Sequence, residues 1–407
     1  MDSVLTIVRT QQDNGLLHRL ALLCMMALAF FIPTDGVGFV GSLPVVKTAG
    51  LISFGLVLLM LVTGTALRGL TGFLMLSMLY IAWAIFSFLW TSMPVDYVST
   101  QAINSQQSLK AHLYLLMIVL LLFQVLRSER DWQWLVLAFL GGSYLLVLLA
   151  LQGYQPGATT VRYELAGLDA NEMSVQLAMG LPLAIYLLSL GHYGWMRLLG
   201  ALYLPLALLA IIATGSRTGF VVLLIGLLGL LPLLVRSGLL VRLLGVLAVA
   251  AALIVTVSIV PDRTFERIFS TGSELSQGTL SERTVTWQKA YWEWDRQPLF
   301  GHGLGSFKRL VNKYNVDYTA HNSFVTISVE QGLVGLLFFS GVVGLAFYYA
   351  LQLGRERRLL LFSLVGVVTA GQLTLTLHEN MYIWLAYTLV AVSWLLHQPA
   401  AGQGEPG

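Results

Sequence analysis

Twelve apolar runs of 15–22 residues occupy most of this sequence, near 16–32, 45–66, 71–90, 112–126, 133–151, 173–190, 197–213, 218–235, 240–260, 333–352, 359–377 and 381–397. A helix rises 1.5 Å per residue, so about 20 apolar residues cross the hydrocarbon core of a bilayer. Lipid cannot satisfy exposed backbone groups, so each run must be helical. Only 11% of the residues are charged and 57% are apolar, against about 25% charged in a soluble domain. The pattern predicts an all-α polytopic membrane protein of about twelve transmembrane helices. Pro182, Pro205 and Pro232 lie inside runs, where membrane helices tolerate proline, and predict kinks. No A-x-A-like cleavage site follows the first run, which therefore reads as a retained span.

An even number of spans puts both termini on one side. Arg9, Arg19, Arg68, Arg127, Arg130, Arg197, Arg236, Arg242, Arg355, Arg357 and Arg358 fall on that side. The short loops opposite carry only Lys47, Lys110, Arg162 and Arg217. By the positive-inside rule both termini are cytoplasmic, and the long segment 261–332 between the ninth and tenth runs faces outward. Residues 1–407 thus read as a single membrane domain with one large outer loop containing helices. The net charge of +3 forms no basic stripe, which leaves nucleic-acid binding unsupported. The single Cys24 excludes an intrachain disulfide and leaves a cysteine metal site without support.

Four polar constellations lie on the outer side. Thr214-Gly215-Ser216-Arg217-Thr218-Gly219 joins two apolar runs by a very short turn. A charge at that depth costs a few kcal/mol, about 2.5–3.5 on insertion scales, and usually faces a cavity or partner. Arg217 reads either as an anion clamp, its planar fork matching phosphate oxygens, or as an interfacial arginine snorkelling to headgroups. In the large loop, Thr279 and Glu282 have capping-box spacing, which starts a helix with Arg283 in its first turn. Anions are favoured there too, although Arg283 also reads as a solvated charge. Leu280, Thr284, Trp287, Tyr291 and Trp294 recur at helical spacing and predict a helix lying on the membrane or the bundle.

The loop ends in Ala320-His321-Asn322-Ser323, followed by Glu330 and Gly332. A histidine outside a membrane entrance suits a general base, or is simply structural. Asn322 or Ser323 is placed to cap the next helix. His378-Glu379-Asn380 forms the last outer turn, either an interfacial turn or a group facing a shared cavity, where it could orient His321 or bind an acceptor. Asp169, Asn171 and Glu172 open span six, where capping is expected. Gly301-His302-Gly303-Leu304-Gly305 matches no nucleotide fingerprint and reads as a tight turn after Pro298. His302, His321 and His378 show no local metal-binding spacing, and no metal or other cofactor is expected.

In order and spacing these residues resemble the O-antigen ligase and polymerase superfamily. The resemblance is carried by Gly215-Ser216-Arg217-Thr218-Gly219, Arg283 with Trp287, Pro298-Leu299-Phe300-Gly301-His302-Gly303-Leu304-Gly305-Ser306-Phe307, Ala320-His321-Asn322-Ser323-Phe324, and Glu330-Gln331-Gly332-Leu333-Val334-Gly335. It implies a GT-C-like, metal-independent inverting glycosyltransferase of the bacterial inner membrane with a periplasmic active site. Its donor would be an undecaprenyl-diphosphate-linked glycan. Its acceptor would be lipid A-core for a ligase, or a growing glycan for an O-antigen or exopolysaccharide polymerase. It further implies that Arg217 and Arg283 bind the diphosphate and that His321 is catalytic. Ser216, Asn322, Glu330 and either His378 or Glu379 would support them. A polysaccharide transporter or flippase is the rival from another class, but it would place ionisable residues near mid-membrane, where these runs have few.

Overall fold

The computed structural model describes residues 15–35, 45–62, 68–91, 101–153, 165, 167–190, 194–236, 238–239, 254, 258, 283–314 and 319–398. Among them no strand occurs beyond one isolated bridge between Leu165 and Leu168. Fourteen helices are described: α1 (Leu16–Phe31), α2 (Val45–Val62), α3 (Gly72–Ser87), α4 (Gln101–Val125), α5 (Glu129–Gly153), α6 (Ala170–Ser189), α7 (Gly194–Ala213), α8 (Arg217–Leu227), α9 (Leu231–Arg236), α10 (Arg283–Arg296), α11 (Phe307–Asn312), α12 (Ser323–Gln352), α13 (Arg355–Thr374) and α14 (Met381–Leu396).

Among the described residues nine helical stretches are long and apolar enough to cross a membrane. Every predicted run but one falls on a described helix. The exception, 240–260, lies outside the described residues save for Ile254 and Ser258, so that crossing and the count of twelve rest on sequence alone. So do the capping box at Thr279 and Glu282 and the first part of the large loop. Proline acts differently at its three positions. Pro182 and Pro205 sit inside continuous helices. At Pro232 the helix gives way to a 3-10 turn, Leu228–Leu230, before α9.

The distribution of bulk is that of a protein dissolved in lipid. On α2 the large apolar residues Leu51, Ile52, Phe54, Leu58 and Leu59 are exposed, whereas Ala49, Gly50 and Ser53 turn inward. In water that face would be an adhesive patch; in lipid it is the solvated surface, and small inward residues let helices approach closely. Gly142 meets the backbone of Phe30, and Gly200 meets the carbonyl of Ala184, so closely that an added Cβ would collide. Helices α6 and α14 are buried on nearly all sides and form the bundle's axis. α6 packs on α5, α7, α8 and α13; α14 packs on α4, α12 and α13.

One end of the bundle is tied by arginines. Arg68 donates to the carbonyls of Leu126 (2.7 Å) and Arg127 (3.0 Å), closing the C-terminus of α4. Arg357 forks onto Glu129 at 2.6 and 2.9 Å, and Tyr186 donates to the same carboxylate. Asp131 accepts the amides of Arg127 and Ser128 and lies 3.5 Å from His18.

Candidate active site

The constellations singled out in the sequence gather at the opposite end. After α7 the chain turns through Gly215, at φ 62°, a left-handed conformation that a side chain would oppose. Thr214 Oγ1 donates to the Ile211 carbonyl (2.6 Å), accepts the amide of Ser216 (3.1 Å) and lies 2.9 Å from Ser174 Oγ. Ser216 caps α8 by accepting the Gly219 amide (2.9 Å) and donates to Asn171 Oδ1 (2.7 Å). The turn is therefore locked to the start of α6, and Arg217 leaves it, half-buried, as the first residue of α8. At Gly219 a Cβ would stand 2.6 Å from Ser174 Oγ, which accounts for glycine there. Asp169 caps α6 as expected, accepting the amides of Asn171 and Glu172. Glu172 in turn accepts from Asn380 Nδ2 at 2.5 Å, joining this corner to the α13–α14 turn.

Arg283 is the first residue of α10, and its guanidinium donates to the Thr374 carbonyl at 3.2 Å, at the end of α13. One turn on, Trp287 Nε1 donates to the Ala320 carbonyl (2.7 Å). The buried face of α10 is formed by Thr286, Ala290 and Glu293. Tyr291 is exposed, so the predicted aromatic stripe is offset from the face that packs. Glu293 has a different task. Lys313 (2.7 Å), Arg296 (3.0 Å) and Tyr314 OH (2.5 Å) converge on its carboxylate, and His302 donates to its carbonyl. Burial raises the Glu293 pKa, but these partners outweigh it and hold the group below its usual value.

His321 follows Ala320 at φ 46°, the one non-glycine with positive φ among the described residues. Its Nε2 is 2.9 Å from Thr319 Oγ1. Asn322 caps α12, accepting the amides of Phe324 (2.9 Å) and Val325 (3.2 Å), while its Nδ2 donates to the Leu373 carbonyl (3.1 Å). Ser323 donates to the Leu375 carbonyl and accepts the Leu377 amide. His321 is thus strung between two anchored residues, Ala320 held by α10 and Asn322 held by the last turn of α13. That turn also receives Arg283.

Below this level α12 breaks at Gly332 (φ 66°, ψ −165°). The turn from Pro298 docks into the break. The amides of His302 and Gly303 donate to Val329 and Glu330, and those of Leu333 and Val334 donate to Pro298 and Leu299. Gly301, Gly303 and Gly305 all have positive φ, as a tight turn requires. Trp90 Nε1 donates to the Gly301 carbonyl, and Thr91 Oγ1 to that of Leu304. Glu330 accepts the amides of Gly305 and Phe307, both at 3.0 Å.

His378 and Glu379 close on Glu330, one ligand atom from each residue lying within 4.8 Å of the others. Neither ring nitrogen of His378 has a hydrogen-bond partner, so His378 does not orient His321. Burial lowers its pKa to about 4, with Glu379 pulling it up and His112 pushing it down. The ring is neutral at ordinary pH.

One comparison with known families covers the elements that carry Arg217, Arg283 and His321. Residues 202–340 match the family model Wzy_C, O-antigen ligase. Over that stretch the chain is similar to an O-antigen ligase domain. The match spans about a third of the chain and supports the O-antigen ligase and polymerase superfamily; no curated protein matches significantly. Arg217, Arg283, His321 and Glu330 lie inside the matched stretch, and His378 and Glu379 lie beyond it. Sequence reasoning passed over His112, whose ring sits 6.2 Å from that of His378. Its one signal was a lone histidine opening the fourth apolar run. Trp90 and Thr91 carry no signal in the sequence, because residues that hold a turn some 200 positions away leave no local pattern.

Proposed function

We propose that this protein transfers a glycan from an undecaprenyl-diphosphate carrier to lipid A-core at the periplasmic face of the bacterial inner membrane. The observation that carries this reading is the gathering of Arg217, Arg283 and His321 at one end of the bundle, the arginines each opening a helix and His321 directly before the cap of one, within the stretch that matches the O-antigen ligase family. The leaving group is a diphosphate whose negative charge grows as the glycosidic bond breaks. Arg217 and Arg283 stabilise that charge, so the step calls on no metal. His321 takes the proton from the acceptor hydroxyl as it attacks the anomeric carbon from the face opposite the diphosphate, which inverts the configuration. Ser216 and Asn322 fix the two turns, and the polyprenyl tail lies among the exposed apolar helix faces.

A polymerase would use the same donor chemistry and pass the glycan to another carrier-linked chain. A transfer assay separates the two. Purified protein is given carrier-linked glycan with rough lipopolysaccharide, in the presence of chelator. Glycan on lipid A-core is the expected product. Lengthened carrier-linked chains alone would assign a polymerase, and no product from folded protein would overturn both readings. His321→Ala is expected to lose about 10²–10⁴-fold in rate; wild-type rates in that variant would remove His321 from the chemistry.

A further inference from the structure

We propose that Glu330, His378 and Glu379 form a site for one divalent transition-metal ion of the Zn²⁺ class, which fastens α12 to the turn between α13 and α14. The three ligand atoms lie within 4.8 Å of one another, and His378 Nε2 is 3.9 Å from Glu379 Oε1. An independent observation points to a ligand. His378 is 2% exposed, yet both its ring nitrogens are buried without a partner. Buried polar atoms are almost always paired, and a cation taking one nitrogen lone pair supplies the missing partner.

Among the described residues no lysine or arginine forms an ion pair with either carboxylate, and Glu379 approaches His378 and His112, each at 3.9 Å. The amides of Gly305 and Phe307 on Glu330 are the outer-shell hydrogen bonds that orient a ligating carboxylate. Each oxygen keeps a lone pair beyond them.

The donor set selects the metal. Ca²⁺ and Mg²⁺ favour oxygen alone, whereas one imidazole with two carboxylates suits Zn²⁺ and its neighbours. Zinc–ligand bonds of about 2.0–2.2 Å place ligand atoms roughly 3–3.6 Å apart, so binding draws the side chains together by about an ångström. Glu330 stands seven residues into α12, about 10 Å along the helix from the His321 end. The ion is a fastener of the scaffold beneath that end and takes no part in glycan transfer.

The test uses tag-free, full-length protein in detergent, stripped with chelator. It is titrated with Zn²⁺ by calorimetry and with Co²⁺ by visible absorption. One equivalent of each metal is expected, with Co²⁺ ligand-field bands and a Zn²⁺-dependent rise in thermal midpoint. Glu379→Gln and His378→Gln should each weaken binding about 100-fold. Glu379→Gln is near-isosteric at a partly exposed position, so its metal-free midpoint should equal that of the wild type. No saturable uptake by the wild type, or wild-type affinity in either variant, would overturn the site.

Discussion

At the scale of single residues, the left-handed backbone of His321 is the feature with most consequence. A non-glycine there costs of order 1–3 kcal/mol and persists only where neighbours over-determine it. Trp287 on Ala320 and Asn322 on Leu373 are those neighbours. Asn322 also supplies the cap of α12, so Asn322→Ala removes both functions. Loss of the cap alone costs about 1 kcal/mol. We expect a lower thermal midpoint for Asn322→Ala, measured by unfolding in detergent, with Asn322→Asp close to wild type because a carboxylate still caps. Equal loss in both variants would shift the weight from the cap to the Leu373 contact.

Among elements, the break in α12 joins loop to bundle. Gly332 has φ 66°, and a Cβ there would stand 2.3 Å from the Leu299 carbonyl. The same break frees the amides of Leu333 and Val334 to hold Pro298 and Leu299. Gly332→Ala should therefore destabilise by roughly 3 kcal/mol or more, through strain and the displaced turn together. Gly344, on the same helix, has open space where a Cβ would go. Gly344→Ala should be neutral or slightly stabilising. Comparing the two thermal midpoints tests whether the break, rather than helix propensity, matters at 332.

For the whole molecule, the two ends of the bundle differ in chemistry. One is laced by Arg68, Arg127 and Arg357; the other carries Arg217, Arg283, His321 and the capped turns. With the arginine-rich end in the cytoplasm, alkaline phosphatase fused after residue 314 should be active and a fusion after residue 398 inactive. The reverse pattern would place the candidate site on the cytoplasmic side and remove a periplasmic glycan acceptor from consideration.

Periodicity and composition alone determined the helical class, because lipid leaves the backbone no other way to satisfy itself over 20 apolar residues. Local rules also narrowed the cap of α12 to Asn322 or Ser323, expected capping at the start of α6, and put the glycines after Pro298 in a tight turn, since a cap or turn is decided within a few residues. The stripe on α10 reads as a helix lying on the bundle, where Trp287 reaches the Ala320 carbonyl and Trp294 packs beside Ala290. Only the tertiary structure joined Ser216 to Asn171, Arg283 to Thr374, and Glu330 to His378 and Glu379. Those contacts span some 45 to 90 residues, and no local spacing encodes a meeting that depends on how helices far apart in the chain pack side by side.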